Sequence, residues 1–111
     1  MTQVIELPIE RFEAFEEQFG IKLEALSAPF VPQESCFSVG GDVFAANGTT
    51  IGQDIDLVIS GHDAAGKVLI SEKCSIKAKS FSGIDTFSVC FDKLSDSVTV
   101  TKVRVYPKPA T

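Results

Sequence analysis

The chain has 111 residues, 44% hydrophobic and 23% charged, which fits one globular domain and excludes a disordered chain. The net charge is −5, and the acidity sits at the front: residues 1–26 carry Glu6, Glu10, Glu13, Glu16, Glu17 and Glu24 against only Arg11 and Lys22. An acidic chain without a basic stripe argues against nucleic-acid binding, whose affinity comes mostly from neutralising phosphates.

No apolar run approaches the ~20 residues of a membrane span. The opening MTQVIELPIERFEAF has neither a basic n-region nor a continuous apolar h-region. The expectation is a soluble, cytoplasmic protein with no membrane association. The cysteines Cys36, Cys74 and Cys90 are odd in number and form no CxxC, so they read as reduced thiols.

In Pro8–Gly20, Ile9, Phe12, Phe15 and Phe19 recur at helical spacing while Glu10, Glu13 and Glu17 fall largely elsewhere. Pro8 suits a first helical position and Gly20 the left-handed position that ends a helix, so this spacing predicts a helix over 8–20. The period then changes to two. Ile21, Leu23 and Ala25 alternate with Lys22 and Glu24, predicting a strand over Ile21–Ser27. Pro29 and Pro32 predict a connector.

The second strand is predicted over Cys36–Ala46, with Phe37, Val39, Val43 and Ala45 on one face. Gly40-Gly41 in its middle marks a bulge or a close backbone approach. Asn47-Gly48 is a turn signal. A third strand, Asp54–His62, places Ile55, Leu57 and Ile59 on one side, and Asp63-Ala64-Ala65-Gly66 reads as a hairpin loop. The fourth, Lys67–Ala78, puts Val68, Ile70, Cys74 and Ile76 on one parity, interrupted by Glu72. Lys67, Lys73, Lys77 and Lys79 occupy the other parity, which suits an edge strand. The fifth is Ile84–Asp92, with Phe87, Val89 and Phe91 inward, followed by a turn at Ser95–Ser97. The sixth is Val98–Tyr106, with a parity switch near Thr101-Lys102, and Pro107 and Pro109 are expected to end it.

Short strands at regular spacing predict an all-β antiparallel sandwich (residues 21–111) preceded by a helical arm (residues 1–20), together a single domain. No helix separates the strands, so βαβ units and a parallel sheet are excluded on pattern.

Val39-Gly40-Gly41-Asp42-Val43, Asn47-Gly48 with Ile51, Asp54-Ile55 with Leu57, Asp63-Ala64-Ala65-Gly66-Lys67-Val68-Leu69, and then Phe81, Gly83 and Phe87 form a progression over about half the chain. It resembles the FxLYD-type domains. The eponymous motif departs from that family, because Ile59-Ser60-Gly61-His62-Asp63 keeps only its Asp. The resemblance implies an immunoglobulin-like β-sandwich of about six to seven strands and no catalytic residues.

Chemistry-bearing residues are sparse. His62 precedes Asp63, but no patterned Ser or Cys nucleophile accompanies it, so a strand-end residue is the stronger reading than a base in a hydrolase. Asp54, Asp56 and Asp63 lack a calcium-loop pattern, and the cysteines lack zinc spacing. Asn47-Gly48-Thr49 is formally a glycosylation sequon and reads better as a turn. No P-loop, GxSxG, HExxH or dinucleotide fingerprint is present. The expectation is no enzyme, no catalytic residue, no metal and no cofactor.

The feature that stands out is the Phe12, Phe15 and Phe19 face, whose burial is worth roughly 5–9 kcal/mol before entropy costs. Packing on its own domain is the preferred reading, because single-chain burial costs no association entropy, and docking on a partner or a second copy is the other. The expected role is protein interaction or assembly, including homo-oligomers. Phe12, Phe15, Phe19, Glu13 and Glu17 meet a partner, with Lys73 and Lys77 as the complementary basic strand. A small-molecule or carbohydrate-binding sandwich is the alternative, for which Phe44 and Tyr106 are the outward aromatics.

Overall fold

The computed structural model describes residues 4–31, 36–91 and 100–110. Among these, the chain runs β1 (Ile5–Glu6), β2 (Ile9–Arg11), α1 (Glu13–Gln18), β3 (Ile21–Ser27), β4 (Pro29–Val31), β5 (Cys36–Ala45), β6 (Ile55–His62), β7 (Val68–Ile76), a 3-10 turn (Ala78–Ser80), β8 (Ile84–Phe91) and β9 (Lys102–Pro109). It is an all-β chain in two sheets with one short helix. In the first sheet β5 is central: β8 pairs along one side, β3 and then β4 along the other, and β1 lies outside β4. The second sheet has the order β2-β9-β6-β7. No helix of the described residues is long and apolar enough to cross a membrane.

The alternation of each strand decides the core. Leu23, Phe37, Val39, Val43, Phe87 and Phe91 from the first sheet join Ile55, Leu57, Ile59, Ile76, Val103 and Val105 from the second in one buried cluster. Phe37 and Phe91, opposite each other on β5 and β8, stack with ring centroids 4.6 Å apart. Burying an aromatic or branched side chain contributes about 1.5–3 kcal/mol, so this cluster drives the closure of the two sheets.

Several expectations are corrected. The helix is six residues, Glu13–Gln18, and Ile9–Arg11 is a strand paired in parallel with Val103–Val105. Periodicity alone cannot separate these outcomes, because Ile9 satisfies an apolar face in either; the open edge of β9 decides for the strand. The helix does end at Gly20, whose φ is 71°. That parallel pair stands among otherwise antiparallel pairings: it joins two distant chain segments without a βαβ unit. Pro29–Val31 forms β4 rather than a connector. β9 continues through Pro107 and Pro109 instead of stopping before them. The expected turn at Ser95–Ser97, Val98 and Asp92 lie outside the described residues.

Gly41 has a specific task. The β3–β5 register shifts between Glu24 and Ser27, where Ala25 holds φ 54°. This bulge presses onto β5: a Cβ on Gly41 would lie 2.7 Å from Leu26 Cδ2 and 3.1 Å from the Glu24 carbonyl oxygen. The irregularity signalled by Gly40-Gly41 is therefore a close approach on β5, with the extra residue on β3.

One buried ion pair ties the N-terminal segment to both sheets. Glu16 is 2% exposed. Its carboxylate accepts Arg11 Nε–H at 3.0 Å, a second bond from the Arg11 guanidinium, and the Leu23 backbone N–H at 3.1 Å. Arg11 belongs to the second sheet and Leu23 to the first, so α1 closes the gap between them. Glu16→Gln leaves this site mismatched and is expected to destabilise the fold by about 2–4 kcal/mol in urea denaturation. A loss below about 0.5 kcal/mol, the scale of an ordinary surface change, would show that the pair is not structural.

Candidate functional site

Strand edges come first, because an open edge is a ready site for an added strand. Each long edge is obstructed. Along β3, the Leu23 N–H that points away from β5 is occupied by Glu16. On β9, Val103 N–H donates to the Pro8 carbonyl at 3.0 Å. Alternate residues point to the same edge, so residues 107 and 109 face the same way, and both are proline with no N–H to offer. On β7, Glu72 lies opposite the buried Ile59, an inward parity, yet is exposed. On β8, Asp85 lies opposite the buried Val43 and is exposed. Inward-pointing charges on outer strands resist edge pairing. Burial pushes the Cys74 thiol above its ordinary value, and the negative charges of Glu72 and Asp85 add to it.

The outer face of the second sheet is a further surface. β6 is buried on both sides: Ile55, Leu57 and Ile59 face the core, while Asp56, Val58, Ser60 and His62 face outward beneath long neighbours. Lys102, Arg104, Tyr106 and Lys108 of β9 lie opposite His62, Ser60, Val58 and Asp56 in turn. From the other side Lys73 Nζ reaches the Asp56 carboxylate at 3.3 Å, and Ser75 Oγ donates to it at 3.0 Å. Glu10 of β2 accepts from Arg104.

Beside this polar layer is an aromatic corner. Phe12 and Phe15 pack at 5.5 Å, and both meet the Tyr106 ring edge-on, at 5.8 and 6.4 Å. Phe15 remains 44% exposed. An apolar hollow of about 230 Å³ opens there between Phe15, Phe19, Tyr106, Pro107, Lys108 and Pro109. A second hollow of about 340 Å³ adjoins it, lined by Val58, Ser71, Glu72, Lys73 and Lys108. Lys108 is the wall between them.

The sequence-selected residues divide. Phe12 and Phe15 face Tyr106, and Phe19 is partly buried against the core. Glu13 and Glu17 lie on the opposite flank of α1, around a hollow that includes Arg11, Ile21 and Lys22. Lys73 is engaged by Asp56, and Lys77 Nζ sits 3.9 Å from Asp54. The acids and lysines thus occupy separate surfaces. Tyr106 is the partner that periodicity could not join to the phenylalanines, although its outward parity was visible.

His62 is enclosed by its neighbours. It is 1% exposed, its Nε2 lies 2.7 Å from Ser60 Oγ, and its Nδ1 lies 3.2 Å from the Gly66 carbonyl oxygen. Both ring nitrogens have partners and Ser60 is only 4% exposed. The bond to Gly66 secures the hairpin loop, which Asp63 also holds by accepting the Ala65 and Lys67 N–H groups. Asp54 accepts the Ala78 N–H. These carboxylates do not converge, and among the described residues no three His, Cys, Asp or Glu side chains gather as a metal site.

Comparisons with family models, with curated proteins and with solved structures each find no match for this chain.

The Arg104 guanidinium holds the Glu10 carboxyl below its ordinary value, first through their hydrogen bond. A carboxyl depressed on folding contributes stability above its unfolded value, about 4.3, and loses that contribution as pH falls through the lower folded value. An NMR titration of Glu10 Cδ is expected to show a midpoint below that of an unfolded peptide, moving up in Arg104→Met. Equal midpoints in the two proteins would remove Arg104 as the cause.

Proposed function

We propose that this chain is a non-enzymatic protein-interaction or assembly module, docking its partner on the outer face of the second sheet over Phe15 and Tyr106. The observation that carries this reading is an exposed phenylalanine beside an apolar hollow on a domain whose long strand edges are obstructed. Aromatic side chains set in partly desolvated hollows are the residue type that dominates binding energy at interfaces. Strand addition, the other mode open to a β-domain, is disfavoured by Glu16, Glu72, Asp85 and the two prolines.

An immunoglobulin-like arrangement is part of the proposal. The pairing of β5 with β8 in one sheet and of β6 with β9 in the other parallels the central strand pairs of that architecture. Together with the motif progression around Asn47-Gly48 and Asp63–Leu69, it supports an FxLYD-like binding domain. The departure is that the neighbour of β9 is the N-terminal β2, running parallel.

A second reading, a carbohydrate- or small-molecule-binding sandwich, draws on the same corner, because Phe12, Phe15 and Tyr106 offer three rings for stacking. Photo-crosslinking separates the two. Benzoylphenylalanine placed at Phe15 in the native host is expected to yield protein adducts that Tyr106→Ala abolishes, whereas the same group at the exposed Thr86 yields none. Adducts at both positions alike would contradict the docking face. Absence of adducts at Phe15, with a glycan or metabolite raising the melting temperature, would favour the second reading.

A further inference from the structure

We infer that the partner presents an acidic extended segment with an apolar anchor residue. This rests on the docking reading above and names the chemistry of the occupant. Among the described residues, the outer face of the second sheet carries Lys73, Lys102, Arg104 and Lys108 against the carboxylates of Glu10 and Asp56, with Glu72 at its rim and the mutually paired Lys77 and Asp54 at its end. It is a positive island on a chain of net charge −5. Two of its cations are already matched: Arg104 by Glu10, and Lys73 by the buried Asp56. Lys108 is exposed and stands where the apolar hollow and the polar hollow meet.

That juxtaposition selects a ligand. An aromatic or branched side chain fills the hollow between Phe15 and Pro109, and a carboxylate one or two residues away meets Lys108, with further acids reaching Lys102 or Lys73. Successive residues of an extended peptide are spaced by about 3.3 Å, so such a segment places alternate side chains in the two adjoining hollows. The obstructed edges require it to lie across the face and to be recognised through its side chains. A second copy of the chain fits less well. Its exposed acids Glu13 and Glu17 sit on the flank of α1 away from Phe15, so these acids and Phe15 cannot enter together. Its other exposed apolar residues beside acids, Ile5 with Glu6 and Ile84 with Asp85, offer one acid each.

The test is selection of displayed random ten-residue peptides on the full chain, followed by titration of the enriched peptides by fluorescence anisotropy. The expected winners carry net negative charge and one aromatic or branched residue. Their affinity should fall at least tenfold between 50 and 500 mM salt, the mark of charge pairing at an exposed surface. Lys108→Glu should weaken them at least fivefold; if that variant melts early, Lys108→Gln with a smaller loss serves instead. No enrichment, neutral or basic winners, or salt-insensitive binding overturns the inference. Non-acidic winners that Phe15→Ala abolishes overturn the acidic partner and leave the docking face standing. Winners indifferent to Phe15→Ala overturn both. Concentration-dependent self-association lost in Phe15→Ala would make a second copy the occupant and overturn the inference while retaining the face.

Discussion

Glu16 has almost none of its surface in water, and residues of three elements meet on it: Arg11 from the second sheet, Leu23 from the first, and its own helix between them. A carboxylate so buried is costly unless its lone pairs are satisfied, and here a paired guanidinium and a backbone amide satisfy them. The same contact fixes α1 against both sheets. That placement turns Phe12 and Phe15 toward Tyr106 and leaves Glu13 and Glu17 on the other flank. The aromatic corner is thus positioned by an electrostatic contact made by the residue that follows Phe15 in the helix.

The edges and the face follow from this constraint together. Glu16 fills one edge of the first sheet, proline backbone closes the far half of β9, and inward acids guard β7 and β8. These are devices by which β-proteins avoid pairing with one another. Such edges offer few free main-chain groups to an added strand. The outer face of the second sheet, by contrast, is built from side chains and combines an apolar hollow with basic groups.

Much of the strand pattern was legible. Ile21–Glu24 and the cores of the strands around Val39 and Val89 follow from alternation, because their apolar parity faces the core and a one-residue slip would expose it. By contrast, β6 around Leu57 is buried on both faces, and the alternation of β3 fails at the exposed Ala25 of the bulge. The lysines on the outward parity around β7 suited an edge strand, and β7 is the outer strand of its sheet. The N-terminal segment was not legible, because Ile9, Phe12, Phe15 and Phe19 fit a helix as well as they fit a short strand followed by a turn of helix. Pro107 and Pro109 read as stops because their missing N–H groups suggest a break; only the sheet order shows that those groups would have faced an empty edge. The site was half legible. Outward parity marked Tyr106, and helical spacing marked Phe15, but nothing local joins residues 91 positions apart. Nor does any sequence signal pair Arg11 with Glu16, whose five-residue separation suits no single regular element.

The central role of Glu16 is most directly tested by amide hydrogen exchange at Leu23. This amide lies on an outer edge, away from β5, where exchange is ordinarily fast, yet it donates to the buried carboxylate. It should exchange only with the opening of the whole domain, as slowly as Val39 or Leu57 in the core. Exchange at the rate of an exposed loop amide would mean that the carboxylate does not hold that edge, and that the helix is not anchored between the sheets.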